Sequence, residues 1–120
     1  MTTIDIWSIG CIFAEMITGK ALFTGLNDND QVKKIFRIMG TPSEKDYPNI
    51  VKLQDWNPEV FEVFPPQDLR QYVPTLEDEG FKLLESMLKI DPDKRITTDE
   101  ALTHPYFDEI QNTIVKEIYK

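Results

Sequence analysis

Several residue types on which functional sites depend are scarce in this sequence. It contains one cysteine, Cys11, and one histidine, His104, among 120 residues. A lone cysteine cannot form an internal disulfide, and Cys11 lies among apolar neighbours, so we expect a small packed thiol. Zinc sites need three or four ligands, and no second histidine or free cysteine stands at metal spacing from His104. We therefore predict no metal site, and we interpret His104, which precedes Pro105, as a structural residue.

Positive charge is also scarce, because 13 Lys and Arg oppose 21 Asp and Glu and leave a net charge of −8. Nucleic-acid phosphate and anionic lipid bind to clustered Lys and Arg. The longest mainly apolar stretch, Ile4 to Ile17, is interrupted by polar residues and is too short to span a bilayer. No basic-then-apolar leader precedes it. We predict an intracellular, soluble protein that binds neither nucleic acid nor a membrane.

Glycine is too sparse for a phosphate-binding loop. The five glycines are Gly10, Gly19, Gly25, Gly40 and Gly80. Their spacing cannot form the G-x-G-x-x-G loop of nucleotide sites, and Gly19-Lys20 lacks the earlier glycine and the following hydroxyl of a P-loop. No nucleotide-binding loop is expected within these residues.

Apolar residues make up 41% of the chain, enough for one domain with a modest core. The first predicted helix begins at Ile4 and is apolar on all sides, so burial is favoured on each of its faces. Asp5 is placed as its N-cap, because the carboxylate can accept from the free amides of Trp7 or Ser8. Gly19 suits the left-handed residue that follows the last turn.

The second predicted helix begins near Asp28 and ends at Gly40, beyond which Pro42 cannot continue it. Its apolar residues recur at helical spacing on one stripe: Val32, Ile35, Phe36 and Met39. The third helix is predicted from about Glu77 to Lys89, since its apolar residues follow the same period.

A capping box at Thr97 to Glu100 predicts a short fourth helix that ends at His104-Pro105. Residues 109–120 form a tail, and its isoleucines at four-residue spacing, Ile110, Ile114 and Ile118, indicate a weakly amphipathic helix. The acidic groups Glu77-Asp78-Glu79 and Asp99-Glu100 could be paired catalytic carboxylates. We attribute them instead to helix starts, where acids are favoured electrostatically.

Between the second and third helices, residues 43–75 keep neither periodicity, and five prolines prevent a long helix. Aromatic residues are nevertheless frequent there: Tyr47, Trp56, Phe61, Phe64 and Tyr72. Flexible linkers contain few aromatic residues, and we therefore expect most of this segment to lie against the helices. A short helix is predicted around Gln67 to Gln71, and no sheet is expected anywhere.

Five sequence strings occur in a fixed order along the chain. They are D-I-W-S-I-G-C-I-F-A-E-M, A-L-F-T-G, I-F-R-I-M-G-T-P, L-L-E-S-M-L-K-I-D-P-D-K-R-I and E-A-L-T-H-P-Y-F. Together they closely resemble the C-terminal lobe of the cyclin-dependent Ser/Thr protein kinases over about residues 3 to 108. The string F-P-P-Q-D-L-R-Q resembles the fungal phosphate-signalling branch of that family and its neuronal-type relatives.

The resemblance implies a mainly α fold, the C-terminal half of a kinase large lobe. The four helices would correspond to its F, G, H and I helices, with residues 43–75 as the insert between G and H. Residues 1–108 would be a partial kinase domain and 109–120 a tail.

The resemblance also implies three structural anchors, Asp5, Trp7 and Arg95. Asp5 resembles the acid that holds the backbone of the catalytic loop. In a whole kinase that loop and the D helix would enclose the first helix, so we expect one side of the helix to be bare in these residues. Arg95 resembles the arginine that pairs with the glutamate closing the activation segment. On the residues alone, Asp5 is a helix cap and Arg95 pairs with Asp91 or Asp93.

Both family partners would lie before Met1, so the chain is interpreted as a part of a longer kinase, produced by truncation or recorded as a fragment. Kinase catalysis uses a glycine-rich loop, a strand lysine, H-R-D with a later asparagine, and D-F-G. None occurs in these residues. We therefore predict no catalytic, cofactor or metal residue here and no activity of this chain alone, whereas its parent would use ATP and Mg²⁺ in the nucleus or cytoplasm.

The parent would bind protein substrates and, through a lobe that these residues do not include, a cyclin. By resemblance, the surface at Leu26, Asn27, Asp28 and Asn29 would receive a small regulatory subunit or dock substrates. The alternative for that surface is a solvated loop that starts a helix. The alternative for the whole chain is a non-catalytic, kinase-derived module that binds regulatory subunits or substrates.

Overall fold

A computed structural model of the chain describes residues 2–54 and 56–118. The α-helices are α1 (Thr3–Thr18), α2 (Asp28–Met39), α3 (Asp78–Met87), α4 (Thr98–Leu102) and α5 (Pro105–Ile118), and short 3₁₀ helices cover Pro48–Lys52, Leu69–Tyr72 and Pro92–Lys94. The described residues include no strand. The prediction of a mainly α fold without a sheet is confirmed. None of the helices in these two ranges is long and apolar enough to cross a membrane.

The start of α1 differs from the prediction that Asp5 is its N-cap. Thr2 is the N-cap, its hydroxyl accepting from the Asp5 amide, while the Asp5 carboxylate accepts from the Thr2 amide at 2.8 Å. Asp5 is thus the third helical residue of a capping box. The hydrogen bond from the Thr2 amide lowers the pKa of Asp5. The other end is as predicted, because Gly19 has a φ of 77°.

The core lies where α1 crosses α3. Leu84 and Leu88 are fully buried against Ala14, which is 1% exposed. Gly10 makes this close approach possible, since a Cβ atom there would lie 2.9 Å from Leu88 Cδ2 and 3.0 Å from Met87 Cβ. The absence of one side chain therefore sets the distance between the two helices.

The opposite face of α1 is open, which agrees with the expectation that one side of this helix is bare. Its apolar side chains Ile4, Ile12 and Met16 are 70%, 56% and 79% exposed. Apolar residues on several faces indicate helix faces that favour burial, but the described residues leave the face of Ile4, Ile12 and Met16 largely uncovered.

The segment between α2 and α3 contacts the helices at its two ends. Tyr47 and Ile50 are buried at one end, and Leu69 and Val73 at the other. In the middle, Val60 and Val63 are 69% and 81% exposed, so the expectation that most of the segment packs inward holds only in part. The predicted short helix occurs as the 3₁₀ turn Leu69–Tyr72, which starts two residues and ends one residue later than expected.

The C-terminal elements follow the predicted signals. The Thr97 side chain accepts from the Glu100 amide and the Glu100 carboxylate accepts from the Thr97 amide, so α4 starts with the predicted capping box. Helix α5 then continues through position 108, the predicted end of the domain, and Phe13 of α1 stacks on Tyr106 of α5 at 5.6 Å. The predicted amphipathic face of the tail includes Ile114, and the structure does not describe the side chain of that residue.

The Gly10→Val substitution tests the contact between α1 and α3. Valine favours a helix more than glycine does, but its side chain would overlap Leu88 and Met87, so we expect the free energy of unfolding to fall by about 2 kcal/mol. The measurement is urea denaturation followed by circular dichroism. The control is Ser8→Val, which places the same side chain on an exposed position of α1. Equal stability of the two variants would contradict the assigned packing.

Candidate functional site at the junction of Trp7 and Arg95

The site is built on the turn that follows α3. The buried Asp91 carboxylate accepts from the amide of Asp93 at 3.0 Å and so starts the 3₁₀ turn Pro92–Lys94. A second carboxylate, that of Asp93, accepts from the Asn49 side chain at 3.0 Å. These bonds hold the turn and direct the next residue, Arg95, back toward α1.

The Arg95 guanidinium joins the end of α3 to the start of α1 through three backbone carbonyls. Its Nε donates to Lys89 O at 2.6 Å and its Nη2 to Ile90 O at 3.0 Å. Its Nη1 donates to Thr3 O at 3.0 Å, across 92 positions of sequence. Three of the five guanidinium N–H donors are thus occupied by neutral acceptors.

Trp7 forms the surface on which this guanidinium lies. The Arg95 Cζ atom is 5.1 Å from the centre of the Trp7 ring, within the range of a cation–π interaction. The Trp7 ring also stacks on that of Phe23 at 5.7 Å with an interplanar angle of 9°. The sequence names Trp7 and Arg95 as anchors, and the structure brings them together.

The predicted pairing of Arg95 with Asp91 or Asp93 is wrong. The Asp91 carboxylate accepts within the turn and the Asp93 carboxylate accepts from Asn49. Arg95 instead donates to carbonyls. Burial lowers the pKa of Arg95, and nearby Tyr47 and Asp91 partly offset that effect. The side chain nevertheless remains a cation at neutral pH, since arginine pKa values lie far above it. Among residues 2–54 and 56–118, no carboxylate forms an ion pair with this positive charge.

A groove of about 550 Å³ opens beside Arg95. Its walls come from α1, α2 and the 42–61 segment, and they include Trp7, Ile35, Phe36, Ile50, Trp56 and Phe61. The volume falls in the range of about 300–1,000 Å³ that is typical of ligand pockets. An apolar groove with one cation favours an apolar ligand or peptide segment that carries a carboxylate.

Tyr47 is a groove residue that sequence reasoning treated only as packing. It lines the groove with Arg95, and burial, followed by the Asp91 charge, raises the pKa of its phenol. Its place in an irregular segment gives no periodic signal, so only the fold shows that it meets Arg95. Cys11 fits its predicted role, because burial raises the pKa of its thiol to about 11 and keeps it protonated.

The other residues singled out from the sequence do not join this groove. Asp5 is engaged with Thr2 at the exposed start of α1. His104 Nδ1 accepts from the Tyr106 amide at 3.2 Å, which agrees with a structural role at the start of α5. In residues 2–54 and 56–118, no cluster of three or more His, Cys, Asp or Glu could hold a metal ion.

The predicted partner surface divides into capping residues and one exposed apolar side chain. Asn27 Oδ1 accepts from the Asp30 amide at 2.9 Å, and Asp30 Oδ2 accepts from the Leu26 amide at 2.9 Å. Asp28 and Asn29 lie exposed in the first turn of α2. Leu26 is 92% exposed, so it is the member of this group that capping does not explain.

Replacing Arg95 by lysine tests the junction between α1 and α3. An ammonium on a flexible stem cannot reproduce the planar guanidinium that reaches three carbonyls and lies on Trp7. We expect Arg95→Lys to lower the free energy of unfolding by about 1–2 kcal/mol, measured by urea denaturation with tryptophan fluorescence. The control is Lys89→Met at an exposed side chain. Arg95→Lys stability equal to that of the unsubstituted chain would contradict a structural role for the guanidinium.

One comparison with known families bears on this arrangement. A family model described as the protein kinase domain matches residues 1–107. The matched range includes both sides of the junction, the groove and the loop at Leu26. Because the match spans nearly the whole sequence, the chain belongs to the protein kinase domain family.

Proposed function

We propose that these residues form part of the C-terminal lobe of a cyclin-dependent-type Ser/Thr kinase. The parent enzyme would transfer the γ-phosphate of ATP, with Mg²⁺, to Ser or Thr of protein substrates in the nucleus or cytoplasm. The protein kinase domain match supports the family, and the five ordered strings support the cyclin-dependent type. One observation carries the proposal: Arg95 of D-P-D-K-R lies 5.1 Å from the Trp7 ring of D-I-W-S-I-G.

The proposal extends to the role of Arg95 in the parent. By family resemblance its partner is the glutamate that closes the activation segment. Three of the five guanidinium N–H groups bind carbonyls in the part of the chain that the structure describes, and Arg95 lines the groove. A carboxylate would add a charge-assisted hydrogen bond to the neutral ones already present.

We also propose that the 120 residues alone do not transfer phosphate. Kinase chemistry depends on positioned phosphates, magnesium ligands and a catalytic aspartate. The sequence that comes nearest to D-F-G is Asp78-Glu79-Gly80, and both of its carboxylates form ion pairs. Asp78 pairs with Arg70 at 3.2 Å and Glu79 with Lys82 at 3.3 Å. ATP, Mg²⁺ and a cyclin would bind to parts of the parent that these residues do not include.

A radiometric assay tests this proposal on the purified chain. With ATP, Mg²⁺ and a generic Ser/Thr substrate protein, we expect no phosphate transfer above a sample without the chain. A complete cyclin-dependent kinase with its cyclin serves as the positive control. Magnesium-dependent transfer that follows the amount of chain added would contradict the proposed inactivity.

A second candidate function is a non-catalytic module that binds a small regulatory subunit or a substrate. The observation that favours it is the 92% exposure of Leu26, since an apolar side chain at a loop tip is suited to a partner contact. The flanking caps hold that tip in place. On this proposal the chain competes with complete kinases for the same subunit.

A pull-down tests the binding-module proposal with an immobilised small cyclin-kinase-subunit protein. We expect the chain to be retained and Leu26→Asp to reduce retention at least about tenfold, because a charge replaces the central apolar contact. Leu102→Asp is the matched control, since Leu102 is 68% exposed on α4. No retention of the unsubstituted chain would exclude this function.

A further inference from the structure

A second, smaller groove lies between the outer face of α2 and residues 60–64. Its volume is about 230 Å³. The residues that line it are Lys33, Phe36, Arg37, Val60, Phe61, Glu62 and Phe64. Aromatic rings thus stand beside two bases of α2, and two of them, Phe36 and Phe61, also line the groove beside Arg95.

The wall opposite α2 is held by hydrogen bonds to Thr41. The Thr41 amide donates to Phe64 O at 2.9 Å, and its hydroxyl accepts from the Phe64 amide at 2.9 Å. The same hydroxyl donates to Glu62 O at 2.7 Å. The Phe61 ring meets Phe36 edge-on at 5.3 Å. These contacts shape the groove.

The charge at this groove is opposite to that of the chain as a whole. Lys33 and Arg37 are four residues apart on α2, so their side chains lie side by side. Arg37 lies over the Phe64 ring at 5.7 Å, and neither base forms an ion pair in the described part of the chain. Lys34 adds a third base on the same helix. Glu62 is the one acid among the residues that line the groove.

The net charge of −8 limits which anionic ligands can bind to Lys33 and Arg37. A long polyanion or a lipid surface would also face the acids elsewhere on the chain. A short ligand feels mainly charges within about one Debye length, roughly 8 Å at physiological salt. The local basic cluster therefore selects for small, locally acidic ligands.

We propose that the groove between α2 and residues 60–64 binds a short acidic peptide segment of a partner protein. Lys33 and Arg37 form ion pairs with carboxylates of the peptide. One apolar side chain of the peptide packs against the rings of Phe36, Phe61 and Phe64. The volume admits one large side chain rather than a folded element. The Glu62 carboxylate at the rim opposes the ligand charge and weakens its binding.

Fluorescence anisotropy tests this site on the full chain. The probe is a fluorescein-labelled peptide of glutamates around a central Leu-Phe pair. We expect saturable binding that weakens as NaCl rises. Lys33→Glu should weaken binding at least about tenfold, and Glu62→Gln should tighten it about two- to threefold, because a local charge is reversed or removed.

Matched controls apply the same changes away from the groove. Lys52→Glu and Glu85→Gln alter exposed side chains outside it, and both should bind within about twofold of the unsubstituted chain. Circular dichroism verifies that each variant is folded. The proposal is overturned if the probe does not bind, if Lys33→Glu and Lys52→Glu bind alike, or if an all-glutamate peptide binds equally well. It is also overturned if heparin or anionic vesicles bind as tightly at the same sites.

Discussion

The close contact of α1 with α3 at Gly10 is the constraint on which the other features depend. With no side chain at Gly10, Leu88 and Met87 can lie against the α1 backbone, and Ala14 and Leu84 fill the layer beside it. This contact brings the carbonyl of Thr3 within reach of Arg95 on the turn after α3. A wider spacing would separate Trp7 from the guanidinium and remove one wall of the larger groove.

At the junction of Trp7 and Arg95, hydrogen bonds from the guanidinium add to that apolar contact. Three carbonyl acceptors fix the guanidinium, yet none of them carries a full charge, so the cation retains its attraction for an anion. The apolar walls of the groove lie at the same place. The junction therefore links the packing of the helices to a site that is suited to a carboxylate from another segment.

Short sequence patterns predicted the features of the fold that depend on only a few neighbouring residues. The bounds of α2, the capping box at Thr97 and the left-handed Gly19 all rest on a few adjacent residues, and the structure has them as predicted. The prediction that Asp5 is the N-cap of α1 is wrong, because the Thr2 hydroxyl accepts from the Asp5 amide and Thr2 is therefore the N-cap. Two features depend on the packing of segments that are distant in sequence: the hydrogen bond from Arg95 to Thr3, and the position of Tyr47 beside Arg95. The spacing of apolar residues along the chain does not predict such packing.

Native-state hydrogen exchange of the chain measures the central claim most directly. If α1 and α3 form one packed unit, the amides of Ala14 and Leu84 exchange only through the same opening, with equal free energies that are the highest in the chain. The amides of Val60 and Val63 exchange at much lower free energy. Exchange of Ala14 well before Leu84 would show that α1 detaches independently, which would contradict the dependence of the fold on this contact.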